Sequence, residues 1–240
     1  MFDIHCHILH GVDDGSGNMS DSLEMAQLAA ESGTKGIIVT PHCNIPGMFD
    51  NYWCEELADR VCALRREIEK RKIPLEIYPG QEVFLSRHFE EHLQKGEFIT
   101  LNNSRYMLVE LDFRIDGGSA FSKLERLVSL GYIPVVAHPE RYGFVIDDPA
   151  MVSRIRSLGC LVQLNSGSLA GDFGRYIQKT ADIIVRKRLA DFIASDAHSQ
   201  YSRTPNLSPV HELVCEEISY DYADVLFRIN PVKVLNNETI

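Results

Sequence analysis

The chain has 240 residues, 45% of them hydrophobic, and carries 24 basic and 34 acidic side chains for a formal charge of -10. This is enough apolar material for a full core, and no linker or low-complexity tract interrupts it, so one domain spanning 1–240 is expected. The acidic balance argues against a nucleic-acid surface, which needs clustered Lys and Arg, and apolar runs far below roughly 18 residues argue against membrane insertion.

The first predicted strand runs from Met1 to His5, within Met1-Phe2-Asp3-Ile4-His5-Cys6-His7. A strand beginning there leaves no room for a signal peptide, so a cytoplasmic protein is expected. Side chains alternate along a strand, which sends His5 and His7 to one side and Cys6 to the other. A short loop, Val12-Asp13-Asp14-Gly15, then offers Asp14, and Ser22 to Ala30 has helical spacing. The next strands are Gly36 to Thr40, followed by His42, and Glu76 to Gly80, followed by Glu82. Tyr106 to Glu110 ends on Glu110 itself, and Leu124, Leu127, Val128 and Leu130 then mark a helix closed by Gly131. Ile133 to Ala137 is followed by His138, Cys160 to Asn165 forms a sixth strand, and Asp191 to Ser195 is followed by Asp196 and His198.

Strand and helix in alternation imply an α/β fold of parallel strands with crossover helices. Seven such units are too few for a regular eight-fold barrel, so a distorted (β/α)7 TIM-like barrel is the expected architecture. In parallel barrels, functional groups sit at the C-terminal strand ends, where these His, Asp and Glu residues fall. An open doubly wound sheet fits less well, since no Gly-x-Gly-x-x-Gly follows an early strand.

The ligand types point to divalent metal chemistry. A catalytic zinc uses about three protein ligands, so nine candidates imply more than one ion. Imidazole and carboxylate without thiolate suit manganese, iron or zinc alike. The six cysteines, at 6, 43, 54, 62, 160 and 215, contain no Cys-x-x-Cys pair and read as reduced thiols. Cys54 to Arg60 has the Cys-x5-Arg spacing of a phosphate-binding loop, but it carries three carboxylates and no glycine and reads as an amphipathic helix. His88, His92 and His211 read as solvated, and Arg65, Arg66, Lys70, Arg71 and Lys72 as a solvated helix face.

Taken in order, His5-Cys6-His7, Asp13-Asp14-Gly15, Thr40-Pro41-His42, Gly80-Gln81-Glu82-Val83, His138-Pro139-Glu140-Arg141 and Ser195-Asp196-Ala197-His198 resemble the polymerase and histidinol phosphatase (PHP) superfamily. Within it, the chain is most similar to the bacterial manganese-dependent protein-tyrosine phosphatases encoded with capsule and exopolysaccharide genes. The similarity runs from Met1 to about Ile240. It departs at Cys43, where a second histidine is frequent, and at His10, which replaces a frequent proline.

The resemblance implies a PHP fold and three divalent ions, manganese foremost, with iron or zinc as alternatives. His5, His7, Glu82 and Asp196 would hold the first; Glu82 would bridge to a second, held also by Glu110 and His138; Asp14, His42 and His198 would hold the third. The implied partner is a phosphotyrosine-bearing protein, a bacterial tyrosine kinase controlling polysaccharide synthesis, and a homo-oligomer is compatible with the sequence. Arg141 and Arg203 are the candidates to neutralise the phosphoryl group, because a guanidinium fork suits its oxygens. Tyr142 and Phe144, beside Arg141, have two readings, rings that flank an aromatic substrate or rings that pack the loop. Two rivals stand: a small-molecule phosphomonoesterase acting on a substrate such as histidinol phosphate, and a non-catalytic metal-binding module, which the complete ligand set disfavours. Amidohydrolases also open with His-x-His on a barrel, but Asp14 and the Asp196-Ala197-His198 pair fit the PHP pattern better.

Overall fold

The computed structural model describes residues 1–240. Its strands are β1 (Phe2–Cys6), β2 (Gly36–Val39), β3 (His42–Cys43), β4 (Glu76–Tyr78), β5 (Glu82–Phe84), β6 (Tyr106–Glu110), β7 (Ile133–Ala137), β8 (Leu161–Asn165) and β9 (Phe192–Ala194). The helices are α1 (Met19–Glu31), α2 (Glu55–Lys70), α3 (Phe89–Gln94), α4 (Gly117–Ser129), α5 (Gly143–Asp147), α6 (Met151–Ser157), α7 (Ser166–Ala170), α8 (Arg175–Arg186), α9 (Ser208–Glu217), α10 (Tyr220–Asp224) and α11 (Asn230–Leu235).

All strand pairs are parallel, in a sheet ordered β1-β2-β4 and another ordered β3-β5-β6-β7-β8-β9. The two sheets share their staves, since β3 continues β2 across Pro41 and β5 continues β4 across Pro79 and Gly80. Proline has no N–H for a ladder, which accounts for the breaks. Counted this way there are seven staves, as the sequence predicts. The last meets the first: Asp196 N donates to His5 O and His7 N to Ala197 O, both at 2.8 Å. The arrangement is the expected distorted (β/α)7 TIM-like barrel.

A register slip in β1 prepares the first ligands. Asp3 pairs with Ile37 and Cys6 with Val39, so β1 holds one more residue than its partner between these points. Such a bulge re-aims side chains. Ile4 enters the inner apolar layer with Ile38, Leu108, Val135 and Phe192, while neighbouring His5 still converges on the strand ends. Cys6 points the other way, into the layer beneath α1 and α2.

The helices pack as their sequences dictate. In α2, Leu57, Val61, Leu64 and Ile68 repeat at spacings of four, three and four and are buried. Each contributes on the order of 1.5–3 kcal/mol by leaving water. Asn18 caps α1, its side chain accepting from Ser20 N and Asp21 N. Arg65, Arg66 and Lys70 lie on the exposed side of α2 as expected, and the helix runs through Arg60 from its N-cap at Cys54. No helix is long and apolar enough to cross a membrane.

Candidate metal centre

Six of the staves deliver polar side chains to one end of the barrel, and the fold brings all nine sequence-predicted ligands together there. They form four overlapping groups whose ligand atoms lie within 4.8 Å of one another: His7, Asp14, His42 and His198; His5, His7 and Asp196; His5, Glu82 and His138; His42, Glu82 and Glu110. Glu82 is central. Its Oε1 lies 3.0 Å from His138 Nε2 and 3.3 Å from His5 Nε2, and its Oε2 lies 2.8 Å from His42 Nδ1. The pairing of His42 with Glu82 in register across β3 and β5 sets that last approach. Asp196 Oδ1 is 3.3 Å from His7 Nε2, and Asp14 Oδ1 is 3.4 Å from His198 Nε2.

Neighbouring hydrogen bonds fix which nitrogen of each ring is free. His5 Nδ1 donates to Gln163 Oε1 at 2.9 Å, and His7 Nδ1 donates to Asp13 Oδ2 at 2.7 Å. His198 Nδ1 donates to the carbonyl of Asp196 at 3.0 Å. With the outer nitrogen acting as donor, the Nε2 lone pair of each ring faces the centre. The Nε2 atoms of His5 and His7 stand 3.2 Å apart. Two lone pairs so placed repel unless a cation lies between them. His198 Nε2 is likewise buried without a hydrogen-bond partner, as are His42 Nδ1 and Glu82 Oε2, which face each other at 2.8 Å out of hydrogen-bond alignment. Buried polar atoms are rarely left so, and here they are the atoms aimed inward. The donor set therefore fits divalent ions.

Without bound cations the buried acids and imidazoles shift one another, and the carboxylates Glu82 and Asp196 raise His5 and, with Asp13, His7 despite burial. Burial opposes charge on Glu82 and Asp196, but the imidazole of His5 and its neighbours outweigh it and hold both carboxyls well below the usual range. Burial, reinforced by the like charges of Glu82 and Asp196, pushes Glu110 well above it. Burial also depresses His138, to about 4, favouring the neutral imidazole a metal requires. The close approach of the His198 ring, its Nε2 3.4 Å from the carboxylate, holds Asp14 low.

Three residues of this end adopt left-handed backbone without being glycine: His138 at φ 35°, Asp196 at φ 50° and Arg203 at φ 48°. Such conformations cost of order 1–3 kcal/mol each and persist where the surroundings enforce them. The loop carrying Asp13 and Asp14 is pressed equally hard against β1. A Cβ on Gly15 would fall 2.2 Å from the His7 carbonyl oxygen, so only glycine fits there.

Both predicted arginines reach the rim. Arg203 Nη2 lies 2.6 Å and Arg141 Nη1 3.5 Å from Asp196 Oδ2, an oxygen that also accepts from Asn165 Nδ2 at 2.5 Å. Gln163 Nε2 donates to Asn165 Oδ1 at 2.9 Å, so His5, Gln163, Asn165 and Asp196 form one chain of contacts. Sequence reasoning missed Gln163 and Asn165. Their only local signal was position, on the same face at the end of the stave that supplies no ligand of its own.

The family model for capsular polysaccharide synthesis proteins, CpsB/CapC, matches residues 1–236. The chain belongs to the CpsB/CapC family. Tyrosine-protein phosphatase YwqE of Bacillus subtilis is 36% identical over 242 residues, covering 100% of this chain and 93% of YwqE. Tyrosine-protein phosphatase CpsB of Streptococcus agalactiae serotype V is 30% identical over 245 residues, covering both chains completely. Crystal structures of YwqE from Bacillus subtilis and CpsB from Streptococcus pneumoniae, described as metal-dependent tyrosine phosphatases, include a chain matching at TM-score 0.92 and 34% identity, over 100% of this chain and 96% of that one.

The packing of this CpsB/CapC chain decides some sequence readings and corrects others. Tyr142 does not flank the site: it is fully buried, donates its hydroxyl to the Ala137 carbonyl at 2.8 Å, and stacks on Phe144. Tyr142 belongs to the main apolar core, and Phe144 packs against that core. The rings that do face Arg141 are Phe113 and Phe173. His92 and His211 are half-buried, not solvated: His92 stacks on Tyr52 at 4.4 Å and bonds Glu97, and His211 meets the edge of Phe227 at 5.2 Å. His88 is exposed as expected. All six cysteines are free, and Arg60 pairs with Glu56 at 3.0 Å along α2, which leaves no phosphate cradle at Cys54.

Proposed function

We propose that this chain is a metal-dependent protein-tyrosine phosphatase acting on a partner protein, its 240 residues forming one catalytic domain. The observation that carries the reading is the convergence of nine inward-facing ligand residues with two guanidinium groups at one barrel end. Membership of CpsB/CapC supports it, as do relatives named tyrosine-protein phosphatases. Following the resemblance, three divalent ions, manganese foremost, would be held by His5, His7, Glu82 and Asp196, by Glu82, Glu110 and His138, and by Asp14, His42 and His198. The proposed substrate is a phosphotyrosine-bearing kinase of polysaccharide synthesis, met in the cytoplasm.

Divalent ions at this centre would supply positive charge that makes water a nucleophile at neutral pH and holds phosphoryl oxygens. The chain's own residues do the rest. Gln163 and Asp13 hold His5 and His7 in the tautomer that presents Nε2 inward. Arg141 and Arg203 offer N–H edges to the equatorial oxygens of the transferring group, where charge develops. The Asp14 side chain is 55% exposed while Glu82 is fully buried, so the centre opens to solvent beside Asp14 and a side chain on another protein can enter there. A tyrosine phenolate, of pKa about 10, leaves without a strong general acid, whereas a serine alkoxide needs one.

The test is metal analysis of the purified protein, followed by kcat/KM for a phosphotyrosine peptide, a phosphoserine peptide and histidinol phosphate on one manganese-loaded preparation. The phosphotyrosine peptide should be hydrolysed fastest, and exhaustive chelation should abolish activity. Full activity after chelation would overturn the metal reading, and a preference for histidinol phosphate would transfer the chain to the small-molecule class.

A further inference from the structure

The guanidinium of Arg141 lies over two phenyl rings that come from different staves. Its Cζ is 4.6 Å from the ring centroid of Phe113, in the loop after β6, and 4.6 Å from that of Phe173, in the turn between α7 and α8. Phe173 also touches the second arginine, with Arg203 Cζ 5.8 Å from its centroid. Both rings are anchored through backbone. The Phe113 carbonyl accepts from Gly143 N at 2.9 Å, which ties it to the loop that carries Arg141. The turn carrying Phe173 is closed by Asp172 N donating to Gly167 O at 2.9 Å. The ring rests on Gly167, where a Cβ would come within 3.1 Å of Phe173 Cε2, so a side chain there would push the ring away.

A guanidinium has two apolar faces and an edge of N–H donors. Rings on its faces engage the cation through their quadrupoles and leave the edge free. Here the edge is turned toward the metal centre, with Nη1 3.5 Å from Asp196 Oδ2. Without the rings, two like-charged guanidinium groups converging on one carboxylate oxygen would have no device to set their planes. A donor aimed in advance at developing charge is worth more than one that must be ordered during reaction.

We propose that Phe113 and Phe173 are positioning residues that clamp Arg141, and through Phe173 also Arg203, with their N–H edges aimed at the phosphoryl group. This rests on the phosphatase reading above. The clamp is a property of rings and not of bulk. Leucine would preserve the apolar contact and lose the quadrupole; tyrosine would keep both.

The experiment is a double-mutant cycle on the manganese-loaded full chain. It compares Phe113→Leu, Phe173→Leu and Arg141→Ala singly, and each leucine variant combined with Arg141→Ala, on a phosphotyrosine peptide. Inorganic phosphate affinity is measured by titration in parallel. Each leucine variant should lower kcat by roughly tenfold with KM little changed, as expected when a transition-state donor is misaimed, and should weaken phosphate binding. Phe113→Tyr and Phe173→Tyr should restore both readouts. In the Arg141→Ala background, Phe113→Leu should have almost no further effect, because partners acting through one group are not additive. The proposal is overturned if the leucine variants keep wild-type kcat and phosphate affinity, or if the effect of Phe113→Leu multiplies with that of Arg141→Ala. Phe113 is 39% exposed, so its leucine variant tests the clamp even if Phe173→Leu loses metal or folds poorly. A wild-type chain that hydrolyses no phosphomonoester refutes the parent reading, while the phosphate titration still judges the clamp.

Discussion

At the N-terminal end of the staves, Ile4, Ile38, Leu108, Val135 and Phe192 close the barrel with an apolar layer. Farther along the same strands, Glu82, Glu110, His138 and Asp196 bring buried imidazoles and carboxylates together. The first layer satisfies every rule of a stable interior. The second leaves polar atoms unpartnered and carries left-handed backbone at His138 and Asp196. One set of strands thus holds a region built for stability beneath one built for ligands, and the first compensates the strain of the second. Substitutions should separate the two ends cleanly.

The largest contrast comes from Glu82→Ala set against Leu108→Ala. Glu82→Ala removes the carboxylate common to two ligand groups, so metal content and phosphatase activity should be lost while far-ultraviolet circular dichroism stays native. Leu108→Ala opens a cavity in the apolar layer and should cost about 2–5 kcal/mol in denaturant unfolding, with metal bound per folded molecule unchanged. If Leu108→Ala strips the metal at temperatures where it remains folded, the two ends are not independent.

A smaller effect is expected one step outside the ligands. Asp13 is buried, accepts from His7 Nδ1 at 2.7 Å and also from His42 N at 2.9 Å, so it orients two proposed ligands at once. Asp13→Ala should weaken metal affinity by about 10–100-fold, the usual range for such partners, and competition with a chromophoric chelator measures it. Unchanged affinity would mean that the loop backbone alone fixes these rings.

Much of this division could be read from the chain itself. The seven staves follow from apolar runs, and the strands at Tyr106 to Glu110 and Ile133 to Ala137 end where predicted. The nine ligands were visible because eight lie at the ends of six apolar runs and Asp14 lies in the loop after the first, so local position was enough. What stayed hidden depends on contacts across the barrel mouth. Gln163 and Asn165 belong to the site because β8 lies between β7 and β9, and Phe113 and Phe173 meet Arg141 across distant loops. Alternation along one strand reports a face, not the neighbour opposite. The splitting of two staves at Pro41 and Pro79 was hidden for a similar reason, as a proline reports a missing donor and not whether the strand resumes beyond it. Tyr142 shows the converse: sequence proximity to Arg141 left both a site role and a packing role open, and burial in the core decides for packing.

The effect farthest from the chemistry concerns a buried carboxyl that belongs to neither layer. Glu140 is fully buried beside Arg141; its Oε1 accepts from Asn165 N at 2.9 Å and its Oε2 has no partner. Burial pushes its carboxyl up to about 7. In the unfolded chain the same group titrates near 4.3, so between these values the folded state keeps a proton that the unfolded state has released. The unfolded state then binds fewer protons, and stability falls as pH rises, by up to about 1.4 kcal/mol per pH unit across that window. Below pH ~4.3 both states are protonated and the contribution is fully present; above pH ~7 it is gone. Glu140→Gln keeps an oxygen for Asn165 N and removes the ionisation, so urea unfolding of the metal-free protein should lose this part of its slope between pH 5 and 7. A slope identical to wild type would mean that Glu140 is charged in the folded chain, with Arg141 close enough to hold it so. The arginine would then be engaged from behind as well as by its two rings, and its availability to the phosphoryl group would depend on that carboxylate.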